Sequence, residues 1–422
     1  MRNIADTEVF SKFMSPLIAL HSENPYSRIC EKIPDVKWLK LGVMRALSED
    51  RSGRGFLQNL LYRTQELIGV GVFFEALKSE RRLNYLKFSL LSLVALMKTS
   101  RKNSDVFSTY KELNAFHIYG GDGHYHSSAT HDLRIEGKKY STQHFYAQNM
   151  RSQAMTHLAL AEIGEERKKE HDMRALKKAV IETLRQGASK GEKVLYVWDR
   201  ASLDFPQWDK WKQRGIYFLS RSKKGMQFET LESIEVDSDD DVNNGVKEDQ
   251  VVITNSGVKL RRVLYLCPFQ NKTYSFITNL PKTIRPGIIA FLYKTRWDIE
   301  KVFDDFKNKM DEKKSWGSHD NTKTAQAIFL CLAYNLSLLL EDNLDDEGVN
   351  HEKNVERKKK RIEHDIKNAK IPSYKISSLI KSHFRVTQRP FALFRWIRSF
   401  LFLKVPWNQA IELLRLSYLK LA

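Results

Sequence analysis

The sequence predicts a mixed α/β protein whose sheet lies between two helical ends, and three observations carry that expectation. From Asn114 to Arg221 short apolar, aromatic runs alternate with charged stretches of helical spacing. From Met226 to Leu280 the texture is β throughout, and outside these limits apolar residues recur at helical spacing among many basic ones. At 422 residues the chain exceeds one ordinary core, so two or three structural units are expected. Hydrophobic residues at 42% and charged residues at 29% exclude a disordered chain. A net charge of +19 points to a polyanionic partner, with nucleic acid ahead of an anionic membrane. The apolar stretches Phe88–Met97 and Ala325–Leu340 are too short, or too interrupted by Asn335 and Ser337, to cross a bilayer. The first residues show no apolar run behind a basic start, so no signal peptide is expected. The three cysteines, Cys30, Cys267 and Cys331, lie far apart, which excludes a disulfide framework and fits a reducing compartment such as the cytoplasm.

Taken in order, residues 1–105 read as helical, with apolar spacing in Phe56–Leu61 and Leu83–Met97 and a basic break at Ser100–Ser104. AFHIYGGDG, from Ala115 to Gly123, is a buried strand running into a glycine loop. Tyr140–Ala161 holds two more strands that turn near Asn149, and Glu165–Gln186 is one helix with Ala175, Ala179, Val180 and Leu184 on its buried face. Lys193–Trp198 is a strand that ends at Asp199, Phe205–Trp211 a short helix, and Gly215–Arg221 a further strand. Within the β segment, Asn255–Gly257 suits a hairpin turn, because Asn and Gly tolerate positive φ. The acidic run Asp237–Asp241 lacks the spacing of a calcium loop and reads as a solvated hairpin tip that repels DNA. Gly287–Lys309 and Asn321–Leu340 follow as helices. The remainder is helical and basic, including Arg357–Arg361. From Phe384 to Arg398 aromatic residues at helical spacing read as core, with the interleaved arginines exposed. These boundaries divide the chain at 1–105, 106–225, 226–285, 286–342 and 343–422.

The most informative stretch is YKTRWDIEKVFDDFK, from Tyr293 to Lys307. On one continuous helix Tyr293, Arg296, Glu300 and Lys307 fall within an arc of about 60°, in a column roughly 21 Å long. Leu292, Ile299, Val302, Phe303 and Phe306 take the adjoining sector as a buried stripe. Such a polar edge can follow a row of phosphates, with one carboxylate left for a metal ion. It can equally be an amphipathic helix whose Arg and Glu pair at i, i+4.

The spacing Tyr293-x2-Arg296-x3-Glu300-x6-Lys307 resembles the signature of transposases of the insertion-sequence 4 family, the bacterial DDE cut-and-paste enzymes. Asp122 in YGGDGHYH resembles that family's first catalytic segment, and Asp199 in VLYVWDRASLD its second. The resemblance spans about Asn114–Leu340 and implies a ribonuclease H-like core interrupted by a β insertion at residues 226–285. It implies Asp122, Asp199 and Glu300 as catalytic metal ligands holding two Mg²⁺ ions, or Mn²⁺ in their place, and Tyr293, Arg296 and Lys307 as DNA contacts. The implied partners are double-stranded DNA, as transposon ends and target, and a second copy of the chain in a synaptic homodimer. Residues 1–105 would be a DNA-binding region, and the protein would sit on the bacterial nucleoid. A nuclease of the same core and an inactive DNA-binding relative are the rivals. The chemistry explains three carboxylates: in-line phosphodiester cleavage must stabilise an attacking and a leaving oxygen, and two divalent ions held by carboxylates do so. Among neighbours, Asp132 competes with Asp122, Asp204 with Asp199, and Asp304 stands by Glu300 as a supporting carboxylate. Trp297 packs beside the site or in the core. His124, His126 and His131 lack a partner cluster for zinc and read as loop histidines near DNA.

Overall fold

A computed structural model describes residues 7–50, 52–101, 105–134, 137–161, 172–310, 312–349, 352–368 and 389–420. The chain opens with five helices, α1 (Glu8–Ala19), α2 (Asp35–Leu47), α3 (Gly53–Thr64), α4 (Val70–Lys78) and α5 (Glu80–Ser100). Thr7, Ser52 and Ser79 start three of them, each hydroxyl accepting a backbone N–H of the first turn. The chain then enters the sheet through β1 (Phe116–His126), β2 (Thr142–Asn149) and β3 (Met155–Leu160). The short helices α6 (Asp172–Lys178) and α7 (Ile181–Arg185) lead to β4 (Lys193–Val197), α8 (Phe205–Lys212) and β5 (Ile216–Arg221). Four more strands follow: β6 (Glu229–Ser233), β7 (Val246–Ile253), β8 (Lys259–Cys267) and β9 (Lys272–Thr278). Helices α9 (Pro286–Thr295), α10 (Asp298–Lys309), α11 (Asp320–Asp346), α12 (Glu352–Lys367), α13 (Phe391–Phe400) and α14 (Trp407–Lys420) complete the described chain.

All nine strands form one sheet in the order β3-β2-β1-β4-β5-β9-β8-β7-β6. Strands β1, β4 and β5 run parallel at its centre, and every other neighbouring pair is antiparallel. The segment between β5 and α9 therefore extends the same sheet through β9 rather than folding as a separate body. It also docks on α9. Gly287 lies so close to the turn at Asp241–Asn243 that a Cβ there would stand 1.8 Å from the Val242 carbonyl oxygen. Asn255–Gly257 turns between β7 and β8, with Gly257 at φ 77° as the dipeptide chemistry predicts.

One apolar core joins α1–α5 to α10, α11 and the two last helices. Thr7 donates its hydroxyl to the Phe400 carbonyl at 2.7 Å, and the Trp407 N–H donates to Glu8 at 2.9 Å, so the two ends of the chain are stitched together. Helix α11 is long and apolar enough to cross a membrane, but 94% of its apolar window is buried as the axle of this core. Phe394 and Trp396 are buried and Arg395 is exposed, as the aromatic spacing predicts. Three residues depart from that pattern: Arg389 is buried beside Glu341 with its N–H on Asp305, Phe391 is exposed, and Arg398 is half-buried and paired with Glu49. Phe384 and Arg385 lie outside the described residues.

Three expectations are corrected. The helix expected over Glu165–Gln186 is two short helices where described, because Val180 adopts an extended ψ of 139° and is 63% exposed; residues 165–171 lie outside the described chain. The helix expected over Gly287–Lys309 breaks at Arg296–Trp297, where the N–H groups bond three residues back instead of four. The acidic run Asp237–Asp241 does lie between β6 and β7, but Asp240 turns inward to Arg285 at 2.9 Å and anchors the loop. On α12, Lys359, Lys360 and Arg361 of the basic run are exposed, with Lys360 paired to Glu356 at 2.8 Å, while the side chains of Arg357 and Lys358 lie outside the described set.

Candidate active site

The site begins in the sheet register. Strands β1 and β4 pair in parallel up to Gly120↔Val197, and two residues further along each strand stand Asp122 and Asp199. Adjacent strands lie about 4.8 Å apart, so the two aspartates stand just past the end of the β1–β4 pairing. Asp199 follows β4, whereas β1 does not run into the expected glycine loop but continues through Asp122 to His126, paired with β2. Gly121 is small because the Trp198 ring covers it: a Cβ there would meet that ring at 2.5 Å. The Asp199 carboxylate accepts the Ala201 N–H at 2.7 Å, and its carbonyl accepts the Ser220 hydroxyl at 2.8 Å, which fixes the turn leaving β4.

The break between α9 and α10 supplies the third wall. The Arg296 backbone rests against Gly120, and its guanidinium donates from Nη1 to Asp122 at 2.9 Å and from Nη2 to Glu300 at 2.7 Å. Arg296 is thus a buried bridge between two of the expected carboxylates, its side chain 5% exposed. Burial pushes the Asp122 carboxyl up to about 6; Arg296 opposes that shift, while the charges of Asp199 and Glu300 add to it.

Leu292, Ile299, Val302, Phe303 and Phe306 are buried, as the helical spacing predicts. Tyr293, Arg296, Glu300 and Lys307 do not form one straight column, since the helix breaks among them. Tyr293 is half-buried, with burial raising its phenol, and its ring lies 5.8 Å from the Arg296 guanidinium. It also lines a hollow of about 250 Å³ with Arg221, Tyr265, Phe269, Tyr274 and Trp297. Trp297 is 57% exposed and so is not a core aromatic. Lys307 is exposed, and Asp304 accepts from Asn308 at 2.5 Å.

The rival aspartates have structural work. Asp132 accepts the Ala129 N–H at 2.7 Å and pairs with Lys323 at 3.1 Å. Asp204 caps α8 through the Gln207 N–H at 3.0 Å and pairs with Lys177 at 2.5 Å. The histidines are another correction: His124 and His126 lie on β1, not on a loop. His124 stands 2.6 Å from Glu312, and its ring stacks on Phe303 at 4.5 Å. His126 donates to or accepts from Ser315 at 2.9 Å. Burial drives His126 down to about 3, so it is neutral, and Tyr146 donates to Glu312 at 3.2 Å. His131 alone of the three is exposed on a loop. Sequence reasoning missed Glu312, since a pairing across 188 residues leaves no local pattern.

Asp122, Asp199 and Glu300 offer oxygen donors, the kind that a hard divalent cation takes. Two of them already share a cation in the Arg296 guanidinium, and among the described residues no three His, Cys, Asp or Glu close on a single point.

A family model described as "Transposase DDE domain" matches residues 125–336. A comparison with curated proteins returns no match. The family match contains Asp199, Tyr293, Arg296, Glu300 and Lys307 and begins three residues after Asp122. It covers half of the chain, including eight of the nine strands, β2 to β9, and the helices α9 and α10. Matched over half of its length, the chain belongs to the family of transposases built on the DDE domain.

Proposed function

We propose that the protein is a cut-and-paste DNA transposase of the insertion-sequence 4 kind, with Asp122, Asp199 and Glu300 as its catalytic carboxylates. The observation that supports this most is the register: Asp122 and Asp199 stand in step, two residues past the last parallel pair of β1 and β4, and Arg296 ties Glu300 to Asp122. The three carboxylates would hold Mg²⁺ or Mn²⁺, which when bound activates the attacking oxygen and stabilises the leaving one. The chain's own part is positioning. Arg296 fixes the rotamers of Asp122 and Glu300 in a buried setting, as a bidentate guanidinium can and an ammonium cannot. Lys307, seven residues beyond Glu300 and about 10.5 Å along the helix, offers an exposed ammonium to a neighbouring phosphate. Tyr293 offers a phenol beside Arg296.

In this reading water cleaves the DNA strand at an element end, breaking a P–O bond and freeing a 3′ hydroxyl. That hydroxyl then attacks a target phosphodiester, forming a new P–O bond as the target's 3′ oxygen leaves. Residues 1–105 would contribute DNA contacts, and two copies would hold two ends together. The test incubates purified protein and Mg²⁺ with DNA carrying the sequences that flank its gene, plus a supercoiled target. Joined products support transposition. Hydrolysis without joining leaves a nuclease, and neither product leaves a DNA-binding relative.

A further inference from the structure

The carboxylates are not the only feature that β1 and α10 share. Both elements run from the site in the same direction: Phe303 stacks on His124, Glu312 contacts His124, and Lys314 forms a β-bridge with Ser127. Where they end, a cleft of about 1280 Å³ opens between them and α3 and α4 of the N-terminal helices. Its size exceeds the ~300–1,000 Å³ typical of small-molecule sites, which favours a macromolecular occupant.

The lining is strongly one-sided. Arg45, Arg54, Lys78, Lys139, Lys313 and Lys314 face one carboxylate, Glu49, among the described lining residues. Glu49 is already paired with Arg398 at 2.6 Å. Over the whole chain Lys+Arg number 70 against Asp+Glu 51, so six to one is a local concentration of charge. Arg54, Lys313 and Lys314 are exposed, and among the described residues their side chains have no acidic partner. Arg45 is committed instead, donating to the Asp50 carbonyl at 2.6 Å. Ser127, Ser128 and Thr130 add hydroxyls of the kind that accompany cations on phosphate oxygens.

We infer that this cleft binds the DNA duplex that continues from the reacting phosphate, gripping its backbone about five base pairs away. The spacing follows from the strand: Asp122 to Ser127 is five residues, about 17 Å at 3.3 Å each, and a duplex rises about 3.4 Å per base pair. The inference rests on the transposase reading, and it adds which surface holds DNA that the catalytic residues cannot reach.

The experiment measures affinity for duplexes that end roughly three or roughly fifteen base pairs beyond the reacting phosphate, extended on either side in separate substrates. Wild-type protein is compared with Arg54→Glu, Lys313→Glu/Lys314→Glu and the triple variant, each confirmed folded by its thermal transition. Wild type should gain at least about ten-fold in affinity from the extension on one side, and the triple variant should lose that gain. The salt slope on the long duplex should drop by roughly one unit per cation removed. A length gain and salt slope that are unaltered in the triple variant overturn the inference while leaving the functional reading in place. Substitutions that alter self-association in sedimentation but not the length gain overturn it too, since the cleft would then hold an acidic protein surface. A wild-type protein that binds neither duplex defeats the transposase reading itself.

Discussion

At the scale of single residues, the candidate site trades stability for chemistry. Burial is the chief cause that pushes Asp122 up to about 6, above the ordinary carboxylate range. Because its folded value exceeds its unfolded value, ionising it opposes folding: the penalty is absent below about pH 4, grows between 4 and 6, and is constant above. Asp122→Asn removes the charge, so at pH 8 it should raise stability by ~1–3 kcal/mol while stopping cleavage. Urea midpoints at pH 8 and at about pH 4 check this, with the gain expected at the former and closed at the latter. Arg296 supplies a second expectation. Its two bonds reach two different carboxylates, and a lysine at that position can satisfy only one at a time. Arg296→Lys should therefore cut the cleavage rate at least about ten-fold, whereas Lys307→Arg, on an exposed position, should stay within about two-fold. A cleavage time course for the two variants decides it.

At the scale of elements, the strands were the legible part and the helix break was not. Asp122 and Asp199 could be found because each closes an apolar run, one at a double glycine and one after Trp198, and such runs mark buried strands. The hairpin at Asn255–Gly257 announced itself through its turn chemistry. Nothing comparable marks the junction at Arg296–Trp297, where both residues keep right-handed helical dihedrals and the departure lies in hydrogen bonds one residue shorter. The pairings of Glu312 with His124 and of Asp240 with Arg285 were invisible because each joins segments distant in sequence. The docking of the β segment on α9 hinges on Gly287, where a Cβ would overlap the Val242 carbonyl. Gly287→Ala should lower stability by ~1–3 kcal/mol and loosen the 234–245 connection. Urea denaturation and limited proteolysis should both register the change, and a variant as stable and as protease-resistant as the parent would mean that α9 can shift freely.

At the scale of the whole molecule, the two helical ends form one structure. Their shared core runs from Val9 through α11 to Leu414, and the stitches at Thr7, Glu8 and Trp407 join residues nearly four hundred positions apart. Sequence showed that both ends are helical, but amphipathic faces do not reveal their partners. A chain cut before Arg389 would expose the apolar faces left by α13 and α14, so its N-terminal helices should lose cooperative unfolding and become sensitive to protease. The charge of +19 has an effect at this scale as well: affinity for DNA should fall steeply between low and physiological salt.

The most direct measurement is Mg²⁺-dependent cleavage of an end-bearing duplex by Asp122→Ala, Asp199→Ala and Glu300→Ala, each beside its DNA affinity. Asp132→Ala and Asp204→Ala serve as controls, since those carboxylates hold Lys323 and Lys177 instead of facing the site. Each of the three site variants should lose cleavage by at least about a thousand-fold yet bind DNA within a few-fold of the parent, because backbone contacts supply most of the affinity. The controls should cut at rates close to the parent's once folded. Cleavage that persists at the parental rate in any one of the three, or that disappears in a folded control instead, would contradict the assignment of Asp122, Asp199 and Glu300.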